Sequence, residues 1–249
     1  PGARLGIAEL WNGASWTEVN DLNTARTKIS VAGNSSLALA TGGNTGSVSA
    51  LNEFYNGSSW TELADLSIAR HSAAAGIGTT TNAIIAGGYD GSGKENITEI
   101  WAWDSSLAAG AWASGGNLNT GRAGGVGFGI QTAAIFAGGI AQPPNTNLAV
   151  VEQYDGSSWT EIADINTARR ELGDAGTTAA GLIFNGIGAS PINAGSIITE
   201  KWNGTSWTEV GDTNTVGYQN AGTGTSTAAL SIGRAAPGLS PTIRGETEE

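Results

Sequence analysis

A short stretch that returns along the whole chain constrains the fold more than any other feature. It reads YDGSSWTEIADINTAR at 154–169, WNGASWTEVNDLNTAR at 11–26 and YNGSSWTELADLSIAR at 55–70, with a looser copy at 202–217 and a stretched one within 101–122. The second aromatic residues of the copies are spaced by 44, 52, 47 and 48 residues, at Trp16, Trp60, Trp112, Trp159 and Trp207. A period of about 20–50 residues is typical of supersecondary units that stack or close into a ring.

Each unit reads as four short β-strands. In the second unit, 72–78 is a run of small residues, 81–88 is an apolar run ending in a Gly pair, and 96–103 alternates with the two-residue period of a half-buried strand. The fourth strand contains the tryptophan, as in SWTEL at 59–63. Asn-Gly or Asp-Gly steps before it predict hairpins with type I′ turns. No segment has an apolar period of 3.6 residues, so we expect an all-β chain with almost no helix.

A Gly pair followed by a variable loop, an aromatic residue and a tryptophan recurs along the chain. The pair stands at 42–43, 87–88 and 138–139, and it weakens to Asn-Gly at 185–186 and Ile-Gly at 232–233. This pattern resembles the kelch repeat of β-propellers, a family that includes the central propeller of galactose oxidase. The resemblance implies a propeller of four-stranded antiparallel blades, a ring that protects its strand edges. Five pairs of inner strands predict five blades.

The repeats predict a single β-propeller domain over 1–249. Its units are 1–26, 27–70, 71–122, 123–169, 170–217 and 218–249, with the first and last completing one blade. Two segments suit the last place in the ring, the N-terminal hairpin at 5–19 and the C-terminal segment 242–249, and we expect the N-terminal hairpin to fill it. Because the chain starts at Pro1 and has no Met, we also expect a processed product or a segment of a longer protein.

The recurring aromatic and charged residues are expected to belong to the scaffold. A tryptophan at one fixed position of each unit would fill the same gap between adjacent blades. Recurring arginines and glutamates predict ion pairs or backbone bonds that hold blades together: Arg26, Arg70, Arg122 and Arg169, with Glu9, Glu53, Glu99, Glu152 and Glu200. The alternative is a ring of arginines that grips an anionic ligand, as in sialidases. The fifth unit, however, has Gly217 in place of arginine.

Composition excludes or disfavours several classes of activity. Eleven Lys+Arg against 22 Asp+Glu give a net charge of −11, which disfavours nucleic acid because phosphate neutralisation needs clustered cations. The chain has no Cys and one His, so thiol chemistry, the copper site of galactose oxidase and a zinc site built on several His are excluded. No apolar run reaches the roughly 18 residues of a membrane span. We expect no enzyme activity, metal, cofactor, nucleic-acid partner or membrane insertion.

Variable loops on a repeated scaffold predict the binding face. In an up-and-down blade, the loop before the first strand and the loop between the second and third strands emerge on the same face, and here the latter varies. The candidate ligand-binding residues lie in these varied loops or at the first positions of the units: His71, Tyr89, Asp90, Lys94, Gln142, Asn145, Arg170, Asn193, Tyr218 and Arg234.

The nearly identical Ser/Thr/Gly/Trp-rich units are also similar to kelch-like repeats in proteins of marine phages and bacteria. That resemblance implies a virion or cell-surface component with an extracellular location. We expect a non-catalytic structural or adhesion module that binds protein partners in a larger assembly, or a surface glycan, through the variable loops. The alternative is a carbohydrate-active enzyme of the sialidase or lyase kind, which would need acids and arginines clustered near the central channel.

Overall fold

The computed structural model describes residues 5–73, 77–104, 109–188, 195–235 and 243–248. All regular secondary structure in these ranges is β, and none of these residues lies in a helix. The same ranges therefore hold no helix long and apolar enough to cross a membrane. The strands form a five-bladed antiparallel β-propeller preceded by a separate hairpin, which confirms the predicted fold class.

The strands are numbered along the chain. The N-terminal hairpin consists of β1 (Ala8–Trp11) and β2 (Trp16–Val19). The first blade contains β3 (Ser30–Gly33), β4 (Ala38–Thr41), β5 (Asn52–Tyr55) and β6 (Trp60–Glu62). The second blade contains β7 (Ile77–Gly78), β8 (Asn82–Ala86), β9 (Thr98–Asp104) and β10 (Ala109–Ser114).

The remaining three blades follow the same order. The third contains β11 (Val126–Ile130), β12 (Ala133–Ala137), a loop hairpin of β13 (Ile140–Ala141) and β14 (Thr146–Asn147), then β15 (Val151–Tyr154) and β16 (Trp159–Glu161). The fourth contains β17 (Gly173–Thr177), β18 (Ala180–Phe184), β19 (Thr199–Trp202) and β20 (Trp207–Glu209). The fifth contains β21 (Ala221–Thr225), β22 (Ala228–Ala235) and β23 (Ile243–Glu248).

Each blade is an antiparallel meander whose first strand lies innermost. The first strands pack side by side from blade to blade, β7 against β3 and β11, and β17 against β11 and β21. Glycine and alanine dominate these inner strands because backbones approach closely there. A methyl group on Gly222, for example, would lie 2.1 Å from the carbonyl oxygen of Asp174 in the neighbouring blade. The small-residue pattern of the sequence therefore reflects crowding at the centre of the propeller.

The turns between third and fourth strands are held by a side chain. In the third blade Tyr154 pairs with Trp159, and Oδ1 of Asp155 accepts the amides of Ser157 and Ser158, both at 2.8 Å. Gly156 has a φ of 98°, whereas Asp155 does not have positive φ. Type I′ turns have two linking residues, both with positive φ. The hairpins at these positions are confirmed, but the predicted turn type was wrong because four residues link the strands and the Asx side chain closes the turn.

Trp159 and Trp207 fill gaps between blades, as the period predicts, whereas Trp16 is 37% exposed. Nε1 of Trp159 donates to Oγ1 of Thr98 in the second blade at 3.0 Å, and its ring lies 6.5 Å from that of Phe136 in its own blade. Nε1 of Trp207 donates to the carbonyl of Ala163 in the third blade at 3.1 Å. Both indoles are buried. A large aromatic surface thus joins each of these blades to the preceding one.

Buried ion pairs repeat from blade to blade, which confirms the scaffold interpretation of the predicted charges except Glu9, which is exposed on β1. They are Arg26–Glu53, Arg70–Glu99, Arg122–Glu152 and Arg169–Glu200. In the fourth blade, the glutamate also accepts the amide of Asn166 at 2.6 Å, and Arg169 donates to the carbonyl of Asn185 at 2.7 Å. Because Asn166 lies in the loop that leaves the third blade, the carboxylate of Glu200 fastens two blades together.

The fifth blade differs from the prediction at its outer edge. The C-terminal strand β23 pairs with β22, where Thr247 lies opposite Ile232 and Glu248 opposite Ser231. The N-terminal strand β1 pairs with β2 in a sheet of their own. This structure therefore does not have the predicted arrangement, in which the N-terminal hairpin completes the blade. A physical reason is that β23 follows β22 closely in sequence, so its pairing closes a much shorter loop.

Candidate functional site

A chain of backbone hydrogen bonds links the blades at the start of the units. In the five units from residue 27 onwards, the second residue has positive φ: Lys28 (58°), Ser72 (52°), Gly124 (66°), Glu171 (57°) and Gln219 (58°). The amide of each one after Lys28 donates to the carbonyl of the preceding one, at 3.2, 2.8, 2.6 and 2.9 Å. We name these five residues the axial chain. Left-handed backbone costs a non-glycine residue about 1–3 kcal/mol, so the surrounding structure must hold it in place.

Sequence reasoning missed the axial chain. Its members differ in residue type, and only Gly124 is a residue that favours positive φ. The available signal was position, since the units from 27 to 217 each place this residue two places after the recurring arginine.

Next to the axial chain, the first residue of each unit from 27 to 217 pairs with the residue that follows the Gly pair or its Asn-Gly equivalent. The amide of His71 donates to the carbonyl of Tyr89 at 3.1 Å, and the amide of Tyr89 donates back at 2.9 Å. Arg170 makes the same two hydrogen bonds with Ile187. Tyr218 makes them with Ala235, one residue further along, because the register shifts between Ile232 and Arg234. These pairs place His71, Arg170 and Tyr218 at equivalent positions of three blades, on the face that carries the variable loops.

A cluster of predicted residues meets across the boundary between the second and third blades. Nζ of Lys94 donates to Oε1 of Gln142 at 2.7 Å and to Oδ1 of Asn145 at 2.9 Å. The same ammonium lies 5.5 Å from the centre of the Tyr89 ring, and that ring lies 5.4 Å from the imidazole of His71. We name these five residues the mouth cluster. It combines a cation, two amides, a phenol and an imidazole on one surface.

The electrostatics of the mouth cluster follow from partial burial among cations. Partial burial and then the charge of Arg170 lower the pKa of Lys94. Partial burial and then the charge of Lys28 lower the pKa of His71, which favours the neutral imidazole. Nδ1 of His71 also lies at hydrogen-bond distance from Oγ of Ser72, at 3.0 Å.

Two carboxyl groups lie on the loop that carries Lys94. Oδ1 of Asp90 accepts the amides of Gly93 and Ser92, both at 2.7 Å, and these bonds lower the pKa of Asp90 to about 2. Partial burial and then the nearby charge of Asp90 raise the pKa of Glu95. The turn-forming bonds of Asp90 give it a structural task in the loop, in addition to its predicted binding role.

The remaining candidates separate into three groups. Arg170 donates from Nη1 to Oδ1 of Asn147 at 2.6 Å, and it influences Lys94 electrostatically, so it belongs beside the mouth cluster. Tyr218 occupies the equivalent rim position of the fifth blade. Asn193 lies outside the described residues. Asn147 was not predicted, although it stands in the same variable loop as Gln142 and Asn145.

Arg234 differs from its predicted place in a variable loop. It lies on β22, is 4% exposed, and donates from Nη1 to Oε1 of Glu248 at 2.8 Å. Glu248 in turn accepts the amide of Asn214 at 2.8 Å, as Glu200 accepts that of Asn166. Arg234 therefore supplies a fifth buried ion pair, which lies within the fifth blade, while the bond from Asn214 to Glu248 links this blade to the fourth. The sequence clue is Gly217, which leaves the fifth unit without its own arginine.

Within the described residues, no group of three or more His, Asp or Glu side chains is placed to hold a metal ion. The mouth cluster offers hydrogen-bond donors, amide groups and aromatic faces. Such groups can bind hydroxyl, amide and carboxylate groups of a partner molecule and stack against apolar faces of sugars or side chains.

No protein-family model and no curated protein sequence matches the chain. Among solved structures, the chain is similar to one titled "Structure of YjhT", with a TM-score of 0.76 and 12% sequence identity. The similarity covers 98% of this chain and 88% of the other. At this identity the likeness concerns the fold alone. Together with the strand order, it shows that the chain folds as an all-β, five-bladed β-propeller.

Proposed function

We propose that this propeller is a non-catalytic, kelch-like adhesion module at a virion or cell surface. It binds a glycan or a protein partner through the mouth cluster and the neighbouring loops. Its blades form the rigid frame, and the loops between second and third strands supply the contacts. The extracellular setting is proposed from the resemblance of the repeats to those of phage and bacterial surface proteins.

The observation that carries the proposal is the position of the Lys94 ammonium. It stands between two amide oxygens of the next blade and beside the Tyr89 ring, and no residue of the repeating scaffold takes part. Side chains from two blades thus converge at the varied face of a fixed frame. Loops positioned by a rigid scaffold are a usual setting for binding residues.

The enzyme alternative needs acids and arginines that can reach a substrate. In this propeller the four pairs from Arg26–Glu53 to Arg169–Glu200 have side chains at most 2% exposed. Their guanidinium and carboxylate groups also bond to backbone of the same and adjoining blades. The recurring charges are therefore engaged in the scaffold, which favours binding over catalysis.

One contact favours the enzyme alternative, namely that between Nδ1 of His71 and Oγ of Ser72. Ser72 also has positive φ, as strained nucleophiles have. However, Lys28, Glu171 and Gln219 share that backbone conformation at the same position of other blades. The strain is therefore a property of the axial chain, and it gives no particular support to a nucleophilic role for Ser72.

The proposal can be tested by screening the purified protein on a glycan array and on immobilised surface proteins, then measuring affinity for the best partner. Lys94→Ala and Gln142→Ala should each weaken binding about tenfold, or about 1.4 kcal/mol. Lys201→Ala is the matched control, because Lys201 lies on the blade strand β19 rather than in a loop. All three variants should keep the thermal stability of the unaltered protein.

Two results would contradict the proposal. The first is full-strength binding by both loop variants, which would place the contact surface elsewhere. The second is turnover of a bound glycan that Ser72→Ala abolishes, which would make the protein an enzyme.

A further inference from the structure

A cavity of about 140 Å³ lies between the fourth and fifth blades. Residues from both blades line it, including Phe184, Thr199, Thr213, Ala229, Ser231 and Glu248. None of the five mouth-cluster residues lines it. Its lining comes from the second strands β18 and β22, the first residue of β19, the loop after β20, and Glu248 of β23.

The equivalent place between the second and third blades is filled by Trp159. That indole donates to Thr98 and packs in one cluster with Leu118, Ala134 and Phe136. The cavity has the corresponding residues. Thr199 is the first residue of a third strand, as Thr98 is. Ala229 and Ser231 are the second and fourth residues of β22, which correspond to Ala134 and Phe136 of β12. Thr213 corresponds to Leu118 in the loop after the fourth strand. The cavity is therefore a socket for an inter-blade tryptophan.

Among the described residues, the fifth blade supplies no such indole. Its sheet consists of β21, β22 and β23, and the tryptophan of the other blades belongs to the fourth strand. β23 thus occupies the third-strand position and leaves the socket without its tryptophan.

The N-terminal hairpin has the sequence and the geometry of a third and fourth strand. The rings of Trp11 and Trp16 are 5.4 Å apart at 43°, compared with 5.3 Å and 39° for Trp202 and Trp207 in the fourth blade. Trp16 is 37% exposed, however, whereas Trp207 is buried. β1 and β2 form a two-stranded sheet. The third strands of the first four blades, β5, β9, β15 and β19, each also pair with the second strand of their own blade.

The hairpin is already attached to the first blade as an outer half-blade would be. Nε1 of Trp60 donates to the carbonyl of Asn20 at 2.9 Å, which is the bond that Trp207 makes to Ala163. The amide of Asn23 donates to Glu53 at 2.7 Å, which is the bond that Asn166 makes to Glu200. It can therefore join the fifth blade without giving up these contacts.

We propose that the socket receives Trp16 of the chain's own N-terminal hairpin, which displaces β23 from β22 and closes the ring. By the register of the other blades, Leu10 then lies opposite Leu230, and Glu9 lies opposite Ser231, where Glu248 stands in this structure. Glu9 takes over the bonds to Arg234 and the amide of Asn214. Closure also covers Val31 of the innermost strand β3, which is 48% exposed.

Each of the two arrangements of the fifth blade is stabilised by a different contribution. β23 has the short connection to β22, which lowers the entropy cost of its pairing. The hairpin brings a preformed aromatic pair that fills the cavity and buries apolar surface. Glu9 and Glu248 offer the same carboxylate to Arg234, so the ion pair is retained in both. The fifth blade is thus a two-state element whose third strand comes from either end of the chain.

Engineered disulfides distinguish the two arrangements, because the chain has no cysteine of its own. Directly opposite residues of antiparallel strands have Cα atoms about 4.5–5.5 Å apart, within the range that a disulfide bridges. Leu10→Cys with Leu230→Cys reports the hairpin, and Thr247→Cys with Ile232→Cys reports β23. Leu182→Cys with Lys201→Cys is the matched control, because it is the pair equivalent to Leu10 and Leu230 in the fourth blade.

Mild oxidation of each folded double variant, followed by peptide mapping and non-reducing electrophoresis, measures the cross-links. We expect the Leu10–Leu230 pair to form an intramolecular disulfide with a yield comparable to the control, and Trp16→Ala to reduce that yield severalfold. If the control oxidises while the Leu10–Leu230 pair stays reduced, the proposal is overturned. A cross-link between two chains would also overturn it, since the hairpin would then serve a second copy. Neither result depends on ligand binding by the mouth cluster.

Discussion

Arg234 fills the space beside Gly217, so that a methyl group added to Gly217 would lie 2.4 Å from Cδ of Arg234. In the first four blades the arginine of the ion pair stands at the position of Gly217, at the end of the constant loop. In the fifth blade it comes from β22 instead and reaches Glu248. Position 217 therefore needs a glycine because the side chain of Arg234 occupies the space beside it, and Arg234 provides the arginine that position 217 lacks.

This relationship predicts that Gly217→Ala destabilises the protein by about 1–3 kcal/mol, the usual cost of overpacking a filled site. Gly211→Ala is the control, because a methyl group there meets no atom within 4 Å. Urea denaturation of both variants gives the comparison. An equal and small loss for both would mean that Arg234 does not occupy this space in solution.

The buried pair of Arg169 and Glu200 predicts a large effect when one partner is removed. Glu200→Ala should cost about 3–5 kcal/mol, because it leaves the buried guanidinium without its counter-charge. It also removes the acceptor for the amide of Asn166. Glu209→Ala, on the exposed outermost strand, should change the free energy of unfolding by less than about 0.5 kcal/mol. Similar losses for the two variants would contradict a scaffold role for the ion pair.

The inter-blade position of Trp159 predicts a comparable loss on truncation. Trp159→Ala should lower the free energy of unfolding by about 3–5 kcal/mol, as large aromatic truncations do. The indole is 5% exposed and donates a hydrogen bond to Thr98. Thr160→Ala, at the next and exposed position, serves as the control. A loss below about 1 kcal/mol for Trp159→Ala would show that the indole does not join the blades.

Asp174 predicts a pH dependence of stability. Its carboxyl lies on the innermost strand β17, and burial raises its pKa to about 7 from an ordinary value of 3.8. Between these two values the folded state binds the proton more tightly than the unfolded state, so this group's contribution to stability is present at pH 4 and is lost as the pH rises to about 7.

Asp174→Asn should therefore gain stability relative to the unaltered protein as the pH increases from 4 to 8. Because the residue keeps some accessible surface, we expect a slope below the roughly 1.4 kcal/mol per pH unit that one full proton carries. Urea midpoints across this pH range measure the difference, with Asp21→Asn at an exposed position as the control. Parallel profiles for Asp174→Asn and the unaltered protein would contradict the raised pKa.

Much of the fold follows from the sequence because the repeat gives equivalent residues equivalent surroundings. The period of the tryptophans predicted blades, and the structure places Trp159 and Trp207 between them. The matching Arg and Glu positions predicted ion pairs, and four of them are present in the expected places. The repeat was enough to predict these contacts, because they recur in each blade at positions that the period and the hairpin geometry determine.

The candidate site was predictable in part. The rule that variable loops share a face identified Tyr89, Lys94, Gln142 and Asn145, which the structure brings together. It could not show that Lys94 contacts Gln142, a residue 48 positions away. It also misplaced Arg234, because a loop boundary read from the sequence cannot show that a strand continues to Ala235.

By itself, the sequence determined the repeated unit, the all-β class, the number of blades and the residues that fasten one blade to the next. Only the tertiary structure decided how the last blade is built, where β23 and the N-terminal hairpin carry nearly the same pairing information. It also decided the axial chain of Lys28, Ser72 and their equivalents, whose bonds join residues more than forty positions apart. The physical reason is the same in both cases. Which residues form a strand or a turn depends on neighbouring residues in the sequence. Which of two strands pairs with β22, and how the five blades meet, depend on the entropy of bringing distant segments together.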